Sequence, residues 1–233
     1  RRSVVSVINR FPSPSSSDLL DSQAQFIIPT PRATQGVATA TIGAWLFFML
    51  FGARTEHAYS YMAGLVPARI SGEMIVPGGL PVLLTPLTAT LLHGSLMHLA
   101  FNMVMLFYVG RLVEALLGPA RFMLLYIVGA YVAGFTEYLV HPASPVPVIG
   151  ASGAVSAVLG AYALYFGERR ATAGRLLSAE ARTVLWLAAS WIGLQLLMGA
   201  VLNGPGTGIA IWAHIRGFIA GLLLARPLEL TRA

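Results

Sequence analysis

The chain has no cysteine and no lysine among its 233 residues, and only 10% of them are charged. Without cysteine there is no disulfide framework and no thiolate chemistry. A soluble domain carries about 25% charged residues, so the scarcity of charge excludes an ordinary water-exposed surface. No charged residue occurs between Glu73 and Arg111, between Glu137 and Glu168, or between Arg182 and Arg216. Each gap holds the roughly 20 apolar residues that a helix needs to cross a bilayer. These absences define an all-α membrane protein.

Apolar residues make up 56% of the chain. Hydropathy and helical periodicity place six spans near 36–53, 94–113, 120–140, 149–167, 183–202 and 208–225. Residues 54–93 form a long connection. Its Pro67, Pro77, Gly78, Gly79, Pro81 and Pro86 interrupt any single helix, and its apolar run Leu80–Leu84 is expected to lie at the interface or dip into the membrane. Residues 1–35, rich in Ser and Pro, read as a flexible cytoplasmic tail, residues 36–225 as the membrane domain, and residues 226–233 as a short cytoplasmic tail. No apolar stretch directly follows the opening Arg pair, so no cleaved signal peptide is expected. The net charge of +6 comes from 15 basic residues, all arginine. With the N-terminus inside, only Arg54 and Arg69 fall outside, Arg216 falls within a span, and the rest are cytoplasmic. That asymmetry is a topology signal and not a nucleic-acid patch. It puts both termini inside and starts the second, fourth and sixth spans at the outer face.

Polar side chains within a bilayer are costly and mark function. Three clusters stand out. The second span opens with His93-Gly-Ser-Leu-Met-His98-Leu-Ala-Phe-Asn102, the fourth with Gly150-Ala-Ser152-Gly153, and the sixth carries Ala213-His214 followed by Gly217 and Gly221. All three occupy the outer half of inward-running helices and so share a depth. A serine hydroxyl becomes a nucleophile when a base takes its proton, and neutral histidine does this near pH 7; Ser152 and His214 supply the pair. His98 and Asn102, spaced i, i+4, share a helix face about 6 Å apart along the axis. With the Ser152 amide they offer donors for an oxyanion. None of the nine acidic residues lies in the outer half of these spans, so a Ser–His dyad is expected in place of a triad. The absence of His-Glu-x-x-His, and of any Cys, Asp or Glu beside the histidines, argues against an intramembrane metalloprotease or aspartyl protease. No metal or cofactor is expected.

Each feature has a plainer reading. Gly-x-Ser-Gly most often serves close helix packing, as the stripe Gly153, Ala157, Ala161 does whatever Ser152 does. A lone His214, or a lone His98–Asn102 pair, is more simply a hydrogen bond between helices. Arg111 and Glu114, spaced i, i+3, read as an ion pair, and Trp186 and Trp191 as core or interfacial anchors. One site explains three polar clusters at a single depth better than three accidents do. A transporter would call for an internal repeat or a polar file crossing the whole bilayer, and the chain has neither.

Gly150-Ala-Ser-Gly153, His93-x4-His98-x3-Asn102 and Ala213-His214-x2-Gly217 resemble, in order and spacing, the three hallmark motifs of rhomboid intramembrane serine proteases. The resemblance covers about residues 36–225. It implies a six-helix rhomboid-like bundle that cleaves transmembrane segments of other proteins near their outer ends. Such a protein would be a multi-pass component of a bacterial inner membrane. The resemblance further implies Ser152 as nucleophile and His214 as base, with His98, Asn102 and the Ser152 amide as the oxyanion hole. It places His93, Gly150 and Gly153 close to the site, makes Glu114 a structural acid at the inner end of the second span, and makes Gly217 and Gly221 a close contact between the sixth and fourth helices. An inactive relative that binds client helices without cutting them is the rival reading; such relatives usually lack the serine or the histidine. Four positions depart from the family pattern. Leu84 and Thr85 replace a frequent Trp-Arg, Arg216 replaces a small residue, and Ser156 replaces an aromatic ring that in some members stacks on the histidine, so another group must hold the imidazole here.

Overall fold

A computed structural model describes residues 30–166, 179–202 and 211–230. The tail reading for the first residues, the arginines at 169, 170 and 175, and the start of the sixth expected span lie outside them. The chain divides after Thr30, and the unit from Pro31 onward holds every element described here. Among the described residues the secondary structure is helical: α1 (Arg32–Phe51), α2 (Ala53–Ala63), α3 (Pro67–Ile70), α4 (Thr85–Thr88), α5 (Leu96–Leu117), α6 (Pro119–Val140), α7 (Ser152–Phe166), α8 (Ala179–Leu202) and α9 (Ile211–Leu230). By length and composition, α1, α5 and α6 can cross a membrane. Shorter apolar helical runs cover Val82–Leu91 and α7. The long connection is thus broken helix, as its prolines and glycines require, with Leu83 and Leu84 exposed.

Polar groups at element ends set the frame. The first amides of a helix have no intrahelical acceptor. Pro31 precedes α1 and caps it with no side chain. The cap arrives from α5 instead. Glu114 Oε1 accepts from the Ala33 amide, and Oε2 accepts from the Thr34 amide and hydroxyl, all within 2.7–2.8 Å. A carboxylate at a helix N-terminus is also favoured by the macrodipole. Glu114 is therefore engaged on both oxygens by α1, and Arg111 makes no ion pair with it or with any other described residue. The pairing expected from their i, i+3 spacing does not form, because the α1 amides offer a buried carboxylate better-directed donors. With Glu114 sheltered, the helix runs on to Leu117, beyond the expected limit of 113.

One feature of α5 has no signature in the sequence. Residues Leu106–Gly110 form a π-helical turn, a local widening that places one extra residue in the helix. Asn102 and Glu114 are twelve positions apart, so at about 100° per residue an unbroken α-helix would set them about 120° apart. Removing one residue's rotation brings them within about 20°. Both are buried, and the π turn lets a single helix bury a polar group at each end on one face.

The close-packed centre is α7. It is apolar or small on all sides, and nearly every residue from Ser152 to Tyr165 is buried. Helices in lipid gain little from apolar burial against one another and associate through van der Waals packing and hydrogen bonds, which favours small residues at contacts. On the α9 side, a Cβ added at Gly217 would collide with the Gly153 carbonyl, one at Gly221 with the Ala157 carbonyl, and one at Gly160 with the Phe218 carbonyl. On the α6 side, Gly129 meets Ala157 and Gly153 meets Ala133, each with 2.5 Å between a would-be Cβ and the alanine methyl. Backbone thus touches backbone from Gly153 to Gly160 on the α9 side, and glycine meets an alanine methyl on the α6 side.

Candidate active site

Ser152 begins α7, and the segment before it is held tightly. Leu65 and Val148 exchange two backbone hydrogen bonds of 3.1 and 2.7 Å, the Ala68 amide donates to the Ser144 carbonyl, and the Gly150 amide donates to the Ala89 carbonyl at 2.9 Å. The long connection therefore grips the approach to the serine at three points. Arg69 stiffens that connection by donating to the carbonyls of Tyr61, Met62 and Leu80. Gly150 has φ of 114°, which L-residues rarely adopt. A Cβ there would also lie 2.6 Å from His98 Nε2. Glycine is needed on both counts.

Ser152 Oγ lies 2.7 Å from His214 Nε2, across the α7–α9 contact. Both residues are buried, at 7% and 5% exposure. With its proton on Nδ1, the imidazole accepts the serine hydroxyl at Nε2. His214 Nδ1 meets no hydrogen-bond partner among the described residues, so no described carboxylate orients the ring. The position that some rhomboids fill with an aromatic ring is Ser156, and it holds no ring against His214. The glycine contacts at 217 and 221 fix the α9 backbone that carries the imidazole.

His98 also lies close to Ser152. A Cβ at Gly150 would be 2.6 Å from His98 Nε2 and 3.8 Å from Ser152 Oγ, so one point in space is close to both. Ser95 caps α5 by accepting from the His98 amide at 3.1 Å. His93 packs edge-on against the His98 ring, with centroids 4.8 Å apart, and its Nε2 accepts from the Ala151 amide at 3.4 Å. Asn102 is fully buried one turn further along α5. Its Nδ2 donates to the His98 carbonyl at 3.0 Å, and its Oδ1 has no partner among the described residues. One of its two amide protons is thus spent within the helix, and one remains to be given.

The structure therefore brings Ser152, His214, His98, His93, Gly150 and Gly153 together, with Asn102 one turn away and Gly217 and Gly221 in the supporting contact. Sequence reasoning missed one pair. Trp191 of α8 donates from Nε1 to Ser156 Oγ at 2.6 Å, and Ser156 Oγ donates to the Ser152 carbonyl at 2.7 Å. The Trp191 ring also stacks on Phe101, next to Asn102, at 5.4 Å. Nothing in the spacing of residues 35 positions apart announces such a contact. The one available signal was a serine where some members of the family carry a ring.

The rhomboid domain model matches residues 82–229. The chain belongs to the rhomboid family and is an integral membrane protein. It is 34% identical to the rhomboid protease GlpG of Enterobacter sp. (strain 638) over 140 residues, 59% of this chain and 46% of that protein. It is also 35% identical to the rhomboid protease GlpG of Yersinia pestis (strain Pestoides F) over 136 residues, 58% of this chain and 44% of that protein. The chain thus spans less than half the length of the curated relatives it matches.

Proposed function

We propose that this protein is an intramembrane serine endopeptidase that cleaves transmembrane segments of other proteins near the outer face of the membrane. The observation that carries this reading is the 2.7 Å contact between Ser152 Oγ and His214 Nε2 in a chain of the rhomboid family. In the reaction, His214 takes the proton as Ser152 Oγ attacks the scissile carbonyl. The oxyanion forms at the start of α7, where unpaired amides and the helix dipole favour negative charge, and where His98 and Asn102 add side-chain donors. His214 then gives its proton to the leaving amine, and a water molecule repeats the sequence on the acyl-enzyme. The dyad needs no third member because backbone packing of α9 on α7 orients the imidazole.

The arrangement that fits this chemistry has six spans, with the membrane domain over residues 36–225 and both termini cytoplasmic. The partners are transmembrane protein substrates, and the setting is a bacterial inner membrane. The small tight α7 suits a site sunk below the outer surface, reached by water from one side.

The test uses purified protein, a fluorogenic transmembrane substrate and a fluorophosphonate probe. Ser152→Ala and His214→Ala should each abolish cleavage while the protein remains folded, and the double variant should lose little more, because the two act as a unit. Substantial turnover by Ser152→Ala would overturn the assignment. A folded wild-type protein that neither cleaves nor takes the probe would point to the rival role, binding client helices.

A further inference from the structure

Ser156 is buried on the same helix as Ser152, one turn on, and Trp191 is buried beside it. A serine bonding back to the carbonyl four residues earlier is ordinary in helices. The second partner, from another helix, changes its meaning. An indole N–H can only donate, whereas a hydroxyl has one proton and two lone pairs. Trp191 Nε1 at 2.6 Å therefore fixes Ser156 Oγ as its acceptor. The hydroxyl proton is left with one direction, toward the Ser152 carbonyl at 2.7 Å. The chain Trp191 Nε1–H to Ser156 Oγ–H to Ser152 C=O runs from α8 to the residue that carries the nucleophile, with every donor oriented. The Ser156 Cβ also faces Gly217, whose own Cβ would lie 3.3 Å away, so the serine sits inside the contact that carries His214.

We propose that Ser156 is a positioning residue for the reaction: held as a one-way donor by Trp191, it fixes the Ser152 backbone, and with it the nucleophile, relative to His214. This rests on the Ser152–His214 reading of the site. It also answers how a rhomboid with serine at 156 keeps its dyad aligned: it fixes the nucleophile's side of the pair, and not the imidazole's. Neither Ser156 nor Trp191 needs to touch substrate for this.

Three readouts test the proposal on the full chain. In kinetics, Ser156→Ala should lower kcat about tenfold, the size expected for losing one buried hydrogen-bond link, with KM little changed, and should slow fluorophosphonate labelling of Ser152 in parallel. In a Trp191→Phe background, which keeps the ring and removes the N–H, the further effect of Ser156→Ala should shrink to less than about threefold, because the pair acts as one unit. In fluorine NMR of protein labelled with 5-fluorotryptophan, the Trp191 resonance, assigned by its loss in Trp191→Phe, should move in Ser156→Ala. The proposal falls if Ser156→Ala keeps the wild-type kcat and labelling rate, if its tenfold loss persists undiminished beside Trp191→Phe, or if the Trp191 resonance stays in place. If wild-type protein neither cleaves nor labels, the dyad reading fails and the positioning role falls with it. If wild-type protein is active and Ser156→Ala matches it, this proposal alone fails.

Discussion

The two ends of α5 bury polar side chains in opposite ways. At one end Glu114 is sealed, with both carboxylate oxygens filled by the first amides and a hydroxyl of α1. At the other end Asn102 and, across from it on α9, His214 each keep a buried polar atom without a partner among the described residues. An unpaired buried polar atom costs free energy, and one that persists calls for an explanation. A filled group holds the fold together. A group with spare capacity is ready for something that comes and goes. On the proposed reading the same helix thus has a structural end and a reactive end, and the π turn at Leu106–Gly110 puts both on one face.

The comparison predicts that substitutions at the two ends separate stability from rate. The largest effect is expected at the sealed end. Glu114→Ala should strand the Ala33 and Thr34 amides and the Thr34 hydroxyl, and should lower stability by about 3–5 kcal/mol, given about 1.5–3 for each hydrogen bond to a charged group, partly offset by rearrangement. Thermal unfolding in detergent checks this, and the fraction still folded should take a fluorophosphonate probe at close to the wild-type rate. A Glu114→Ala protein as stable as wild type would erase the contrast. Asn102→Ala should do the reverse. Losing one oxyanion donor lowers turnover by about 10²–10³, with a much smaller change in melting temperature, because Asn102 gives up only one bond to its own helix. If turnover were unchanged and stability fell, Asn102 would belong with Glu114 as a structural residue.

What could be read from the sequence follows from which forces are local. The helices could be placed because bilayer length and the absence of charge act along the chain. The long connection read as broken because proline and glycine act on their own backbone. Ser152, His214 and His98 stood out because polar side chains at one membrane depth are rare enough to be counted. Contacts between distant segments were harder to foresee. Glu114 was read beside Arg111, its neighbour on the helix, whereas its partners are 80 and 81 positions away. Trp191 read as an anchor because an indole suits core and interface alike, and its N–H pointed to no particular acceptor. The π turn was invisible because Leu, Phe, Tyr, Val and Gly fit an α-helix equally well.

The smallest effect is expected at Arg216, on the exposed face of α9. Arg216 follows His214 by two residues, about 200° around the helix, and is exposed while His214 and Gly217 are buried. It shares its stripe with Trp212, 51% exposed one turn before it, and with the exposed Ile219 and Leu223 after it. A face of Trp, Ile and Leu is one that lipid covers, and a guanidinium set in it costs about 3 kcal/mol at the bilayer centre on insertion scales, less where it reaches a headgroup. Its neighbour Gly217 needs the Gly153 carbonyl at close range, and nothing about Arg216 improves that contact. Arg216→Ala should therefore raise the melting temperature by a few degrees, at about 2–4 °C per kcal/mol for a chain of this size, and leave cleavage at or above the wild-type rate. A thermal scan in detergent and a turnover assay on the same preparation decide it. If the well-folded variant lost cleavage, the guanidinium would have to meet the substrate from the lipid side, and the outer face of α9 would become part of the site.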